Sequence, residues 1–125
     1  MKTLINLLAL FIISSTVVAQ PHKDKCKIEV EDVSVLTTFG YLNYTVKFIN
    51  KSKSSVDGIY WTAKFYNNSG DLLKTEESSF NSGGLIDPIA SGFSKSVARM
   101  PKVKGASKVR IEIDRVHFVI EGNCP

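Results

Sequence analysis

Beyond residue 25, apolar and polar residues alternate with a period of about two, and the 3.6-residue spacing of an amphipathic helix does not recur. Ile28 and Val30, then Val33 and Val35, line one face of a first strand, and the change of phase at Glu31 and Asp32 predicts a bulge. A turn is expected over Thr37 to Gly40. Leu42, Tyr44, Val46 and Phe48 then alternate with Asn43, Thr45 and Lys47, as a strand with one buried face does. The clearest run follows: Ile59, Trp61, Ala63 and Phe65 should face the core, with Trp61 packed between sheets, while Tyr60, Thr62, Lys64 and Tyr66 face away.

Asn67 to Asp71 is a cluster of residues that tolerate positive φ, so Leu72 onward should return as a hairpin partner. Glu76 to Gly84 reads as a polar loop. Pro88 limits Leu85 to Ile89 to an edge or a bend, because proline has no N–H to give to a ladder. Phe93 to Met100 alternates again, but with Lys95, Val97 and Arg99 against Ser96, Ala98 and Met100 its inward face is ambiguous. Pro101 to Ser107 reads as a basic loop. The last run turns Val109, Ile111 and Ile113 inward and Lys108, Arg110, Glu112 and Asp114 outward, then changes phase before Val116 and Phe118. Short strands punctuated by turn signals in this way predict an all-β, antiparallel β-sandwich of about seven strands.

The start of the chain changes that picture by adding a segment outside the fold. Lys2, an apolar run from Leu4 to Ile13 broken only by Asn6, and the small residues Val17 and Ala19 before Gln20 have the layout of a secretory signal peptide. The run is shorter than the roughly 20 residues a spanning helix needs. Residues 1–20 are therefore expected to be removed, leaving residues 21–125 as a single secreted or periplasmic domain with no membrane span. Lysine, asparagine, serine and isoleucine usage and the Ala-Gln ending of the signal point to a bacterium. Without Lys2 the mature chain carries fifteen basic and twelve acidic side chains, a net charge of +3, which suits a solvated surface better than a nucleic-acid site.

Export gives the two cysteines, Cys26 and Cys124, their meaning. In an oxidising space a small domain pairs its thiols, with free or intermolecular thiols as the alternative. One bond closing nearly the whole mature chain stabilises it by up to about 4–5 kcal/mol in the chain-entropy model. It would bring the start of the first strand to the end of the last, either as antiparallel neighbours or across facing sheets.

Asn50, the strand through Phe65, Tyr66 and Asn67, then Gly70, Leu72 and Leu73, and later Pro88 and Gly92 before Phe93, resemble the FxLYD-type immunoglobulin-like domains of exported bacterial proteins. The resemblance covers about residues 42–118. It implies an immunoglobulin-like sandwich acting as an extracytoplasmic binding or structural module, without catalytic residues.

Candidate chemistry is sparse. Glu112 and Asp114 share a strand face, but Lys108 and Arg110 continue it as an alternating charged surface. His117 falls opposite Val116 and Phe118 and should be exposed, and no Gly-x-Ser-x-Gly elbow, calcium loop or zinc spacing occurs. No enzyme activity, metal or cofactor is expected. Asn43, Asn50 and Asn67 each open an Asn-x-Ser/Thr sequon, of consequence only in a glycosylating host. Tyr41, Tyr60 and Tyr66, aromatic on outward faces, are the candidate contact surface, unless a loop covers them or they pair across strands. These features predict an exported, non-enzymatic module that binds another protein or a cell-envelope component. The alternative is a secreted inhibitor or effector acting through loops such as Ser79 to Gly84 or Met100 to Ser107.

Overall fold

The computed structural model describes residues 27–83, 86–119 and, for the backbone, 122–124. The proposed signal peptide and Cys26 lie outside the described residues. Among the described residues seven strands follow in order: β1 (Ile28–Thr38), β2 (Tyr41–Asn50), β3 (Val56–Tyr66), β4 (Leu72–Asn81), β5 (Ser94–Lys104), β6 (Lys108–Phe118) and β7 (Gly122–Cys124). They form two antiparallel sheets, β1-β2-β5 and β4-β3-β6-β7.

Alternation decides which faces meet. Leu42, Val46 and Phe48 of β2 and Ile59, Trp61, Ala63 and Phe65 of β3 are fully buried, and their aromatic rings interlock across the sheets. Phe48 lies 5.0 Å from Trp61 and Tyr44 lies 5.9 Å from Phe65, centroid to centroid, both pairs tilted as aromatic quadrupoles prefer. The Trp61 indole N–H donates to the Tyr44 hydroxyl at 3.0 Å, so the two polar atoms at the centre of the core satisfy each other. Burial raises the Tyr44 phenol above its ordinary value, against the opposing pull of that hydrogen bond and of Arg99.

The expected phase changes are register shifts. One falls between Val30 and Asp32 in β1, and the other leaves Asp114 of β6 bulged where Tyr60 and Trp61 face Arg115 and Ile113. The Asn67–Asp71 hairpin forms as its sequence predicts, the Asn67 side chain accepting from the Ser69 and Asp71 amides at 2.9 Å. At the first hairpin, Phe39 and Gly40 both take positive φ, 53° and 81°, between the paired residues Thr38 and Tyr41. That backbone is the two-residue turn whose twist matches a hairpin, but its first position normally favours asparagine.

Two segments read as loops are strands. Residues 76–81 continue β4, and residues 101–104 continue β5 through Pro101. Both strands are sheet edges, where one side of the backbone faces solvent and polar residues are tolerated on either face. In β4 the inward positions opposite Phe65 and Ala63 are Lys74 and Glu76, so the hydrophobic signal vanishes there although the ladder does not. The ambiguous β5 faces inward with Lys95, Val97 and Arg99. Arg99 reaches across to the other sheet: its Nε donates to Ser78 Oγ at 2.9 Å, an Nη to the Ser79 carbonyl, and its guanidinium lies 5.4 Å from the Trp61 ring centroid. It closes the β4/β5 side of the molecule. On the opposite side Val30 and Val33 of β1 and Val109, Ile111 and Ile113 of β6 pack against the core.

Asn50 holds the connection between the sheets. Its carboxamide is buried, its Nδ2 donating to the carbonyls of Ser54 and Ile89 at 2.8 Å, while its Oδ1 accepts from the amide and hydroxyl of Ser52. With both of its N–H groups committed inside the fold, this sequon offers no acceptor nitrogen in the native state.

Candidate interaction surface

The three tyrosines proposed as one contact surface do not gather. Tyr41 begins β2 in the three-stranded sheet, whereas Tyr60 and Tyr66 lie six residues apart on β3 of the other, a separation of about 20 Å along the strand. Tyr60 is occupied within the molecule: its hydroxyl donates to Asn81 Oδ1 at 2.7 Å, and the Arg115 guanidinium lies 3.8 Å over its ring. It is a cross-strand partner, since Ser79 and Arg115 flank it in register. Tyr66 is half-buried where its carbonyl accepts from the Ser107 amide.

The rest of that outer face is paired charge. Lys64 bridges Glu112 at 3.2 Å, and Thr62 donates to Asp114 at 2.6 Å, so the two carboxylates serve different partners and do not face one another as an acid and base would. His117 is half-buried, not free in solvent, and its Nδ1 meets Asp57. It sits over Gly58, where an added Cβ would come within 3.3 Å of both His117 Cβ and Tyr60 Cε2. Among the described residues no group of three or more His, Cys, Asp or Glu side chains gathers to hold a metal, and no helix is long and apolar enough to cross a membrane.

The outer face of the three-stranded sheet differs. Its register sets Thr38, Tyr41 and Lys104 side by side, then Leu36 beside Asn43, then Ser34, Thr45 and Ala98. Between the pairs Leu42–Val103 and Tyr44–Arg99, β2 has one residue and β5 has Met100, Pro101 and Lys102. This bulge accommodates the proline on an edge strand and puts Lys102 at φ 56°, with its N–H donating to Asn43 Oδ1 at 3.1 Å. It also leaves Met100 protruding, 74% exposed, across from Leu36, 66% exposed. Between them runs a groove of about 190 Å³ lined by Ser34, Leu36, Asn43, Thr45, Ala98 and Met100, with Tyr44 and Arg99 contributing beneath them. Tyr41 stands at one end, and Phe39 projects from the turn almost wholly in solvent.

This apolar stretch is bounded by charge at diagonally opposite corners. Glu31 and Asp32 lie at one, with Glu31 accepting from Ser94 Oγ at 2.8 Å and standing 3.7 Å from Lys47. Lys102 and Lys104 lie at the other. Tyr41 was recognised from sequence. Leu36 and Met100 were not, although each carries a signal: an apolar residue at a position whose phase calls for a polar one. A second hollow of about 440 Å³, lined by Ile86, Pro88, Ile89, Phe93 and Lys95 among others, opens beside the β4–β5 connection.

No family model matches this sequence, that of the FxLYD-type domains included, and no curated protein matches it. A solved structure has a similar fold. A crystal structure of a DUF1425 family member from Shewanella sp. pv-4 superposes with a TM-score of 0.52 at 13% identity, covering 70% of this chain and 76% of that one. At that identity the likeness is one of fold, an all-β arrangement of antiparallel sheets. The face that carries Leu36, Tyr41 and Met100 is therefore interpreted from its own chemistry.

Proposed function

We propose that this chain is an exported, non-enzymatic immunoglobulin-like β-sandwich that binds another protein or a cell-envelope component through the outer face of its three-stranded sheet. The observation that carries the reading is the contiguity of Leu36, Tyr41, Ala98 and Met100 on a face whose central neighbours in register, Ser34, Asn43 and Thr45, are uncharged. Soluble single domains seldom leave such patches open, and a polar rim around an apolar centre is the anatomy of a contact surface. The opposite outer face has its tyrosine, carboxylates and histidine each engaged by a neighbour, Asn81, Lys64, Thr62 and Asp57, which supports a structural role for it.

Export and the Cys26–Cys124 bond belong to the same reading. β1 and β7 are edges of facing sheets on the side where β1 packs beside β6, and this arrangement suits a bond between a residue just before β1 and one in β7. The inhibitor alternative loses most of its basis, since Ser79 to Asn81 and Met100 to Lys104 belong to strands.

The test is capture from native envelope and medium, comparing the wild type with Leu36→Asp and Met100→Glu, each verified as folded by circular dichroism. A partner retained by the wild type and lost by both variants is the expected result. Equal capture by all three would remove this face from the function, and a metal-dependent hydrolysis abolished by Glu112→Gln would overturn the non-enzymatic assignment.

A further inference from the structure

The charge layout of this face is self-complementary. Glu31 and Asp32, offset in part by Lys47, leave one corner with a net charge of −1, and Lys102 and Lys104 give the diagonally opposite corner +2. Between them the side chains of Ser34, Leu36, Asn43, Thr45, Ala98 and Met100 are uncharged, and Arg99, which also lines the groove, turns its guanidinium away to Ser78, Ser79 and Trp61 of the other sheet. A two-fold axis lying in the plane of the face, across that diagonal, would lay the acidic corner of each copy over the basic corner of the other. The apolar middle would then close on itself with no unpaired charge beneath it. A partner of uniform charge would instead meet repulsion at one corner.

We infer that this face is an isologous contact between two copies of the chain. The inference rests on the reading of the face as an interaction surface and names its occupant. In an isologous contact every favourable pairing occurs twice, so two charged corners give two matched ends. The face has fewer residues than the roughly 20–30 a side of a standard interface, so the dimer is weak and forms at high protein concentration. Its charged corners lie at the rim, where salt screens them.

Sedimentation velocity on the mature chain, from roughly 10 to 500 µM at low salt, should show a concentration-dependent shift from monomer to dimer, weakened about tenfold or less by 0.5 M salt. Glu31→Lys with Asp32→Lys makes both corners basic, and Lys102→Glu with Lys104→Glu makes both acidic. Each double variant should be monomeric at the highest concentration, with an unchanged circular dichroism spectrum. An equimolar mixture of the two should regain a dimer, because the basic corners of one now meet the acidic corners of the other. Misfolding of either variant cannot produce that recovery. A wild type that stays monomeric throughout, or a mixture that does not associate, overturns the inference. If the wild type is monomeric while Met100→Glu still abolishes capture from the envelope, the occupant is wrong and the interaction surface stands. If Met100→Glu alters neither association nor capture, both readings fall.

Discussion

Tyr44 and Trp61 bring two polar atoms together between the sheets. Tyr44→Phe leaves the indole N–H buried without an acceptor, at a cost of about 1–3 kcal/mol, readable as a lower urea midpoint with an unchanged slope. The same residue sets an alkaline limit. Its phenol is raised by burial, so the unfolded chain loses that proton first, near the ordinary tyrosine value of about 10. Stability from this group is complete below that pH and declines as pH rises past it. The wild type should therefore lose more stability between pH 9 and 11 than Tyr44→Phe does, and parallel losses would show that Tyr44 is not the group responsible. At this scale the sequence was readable wherever a residue's role followed from its phase, as for Trp61 and Phe65. It was silent for Asn50, whose three local hydrogen bonds to Ser52 and Ser54 are completed only by the Ile89 carbonyl, nearly forty residues away.

Among the elements, β2 and β3 were legible because both are central, with one face buried along their whole length. β4 and β5 were not, and for one reason. An edge strand is specified by its backbone ladder to a neighbour, and Lys74, Glu76, Lys95 and Arg99 on its inner face remove the alternation that would announce it. Arg99 shows what those residues contribute, tying β5 to β4 across the open side of the core. Arg99→Met keeps most of the aliphatic packing over Trp61 and loses the hydrogen bonds to Ser78 and Ser79, which should cost about 1–2 kcal/mol. Hydrogen exchange should rise first in β4 and β5. Arg99→Lys should recover less than half of the loss, because an ammonium cannot reach Ser78 and Ser79 together as the guanidinium fork does. A uniform rise in exchange across both sheets would mean that Arg99 acts on the whole core and not on this seam.

For the whole molecule, the sequence conveyed the all-β class and its antiparallel pairing, while the proposed contact surface emerged only from the register between strands. Leu36 and Met100 are sixty-four positions apart in the chain, and a bulge of two residues in β5 decides that they flank one groove. The proposed Cys26–Cys124 bond makes a prediction at this scale. The purified mature chain should weigh two hydrogens less than its fully reduced form, and reduction should lower its unfolding free energy by up to about 4–5 kcal/mol. An unchanged mass, or a dimer dissolved by reductant, would replace the intramolecular bond with free or intermolecular thiols. The edges of the sheets carry one more consequence. β4 turns Lys74 and Glu76 inward, β5 carries a proline and several lysines, and the first half of β1 is bulged and acidic, so each resists the addition of a foreign strand. Ser34 to Thr38 has none of these guards: it is uncharged, rich in β-forming residues and on an edge, and it is where fibrillar aggregation of a partly unfolded chain would be seeded.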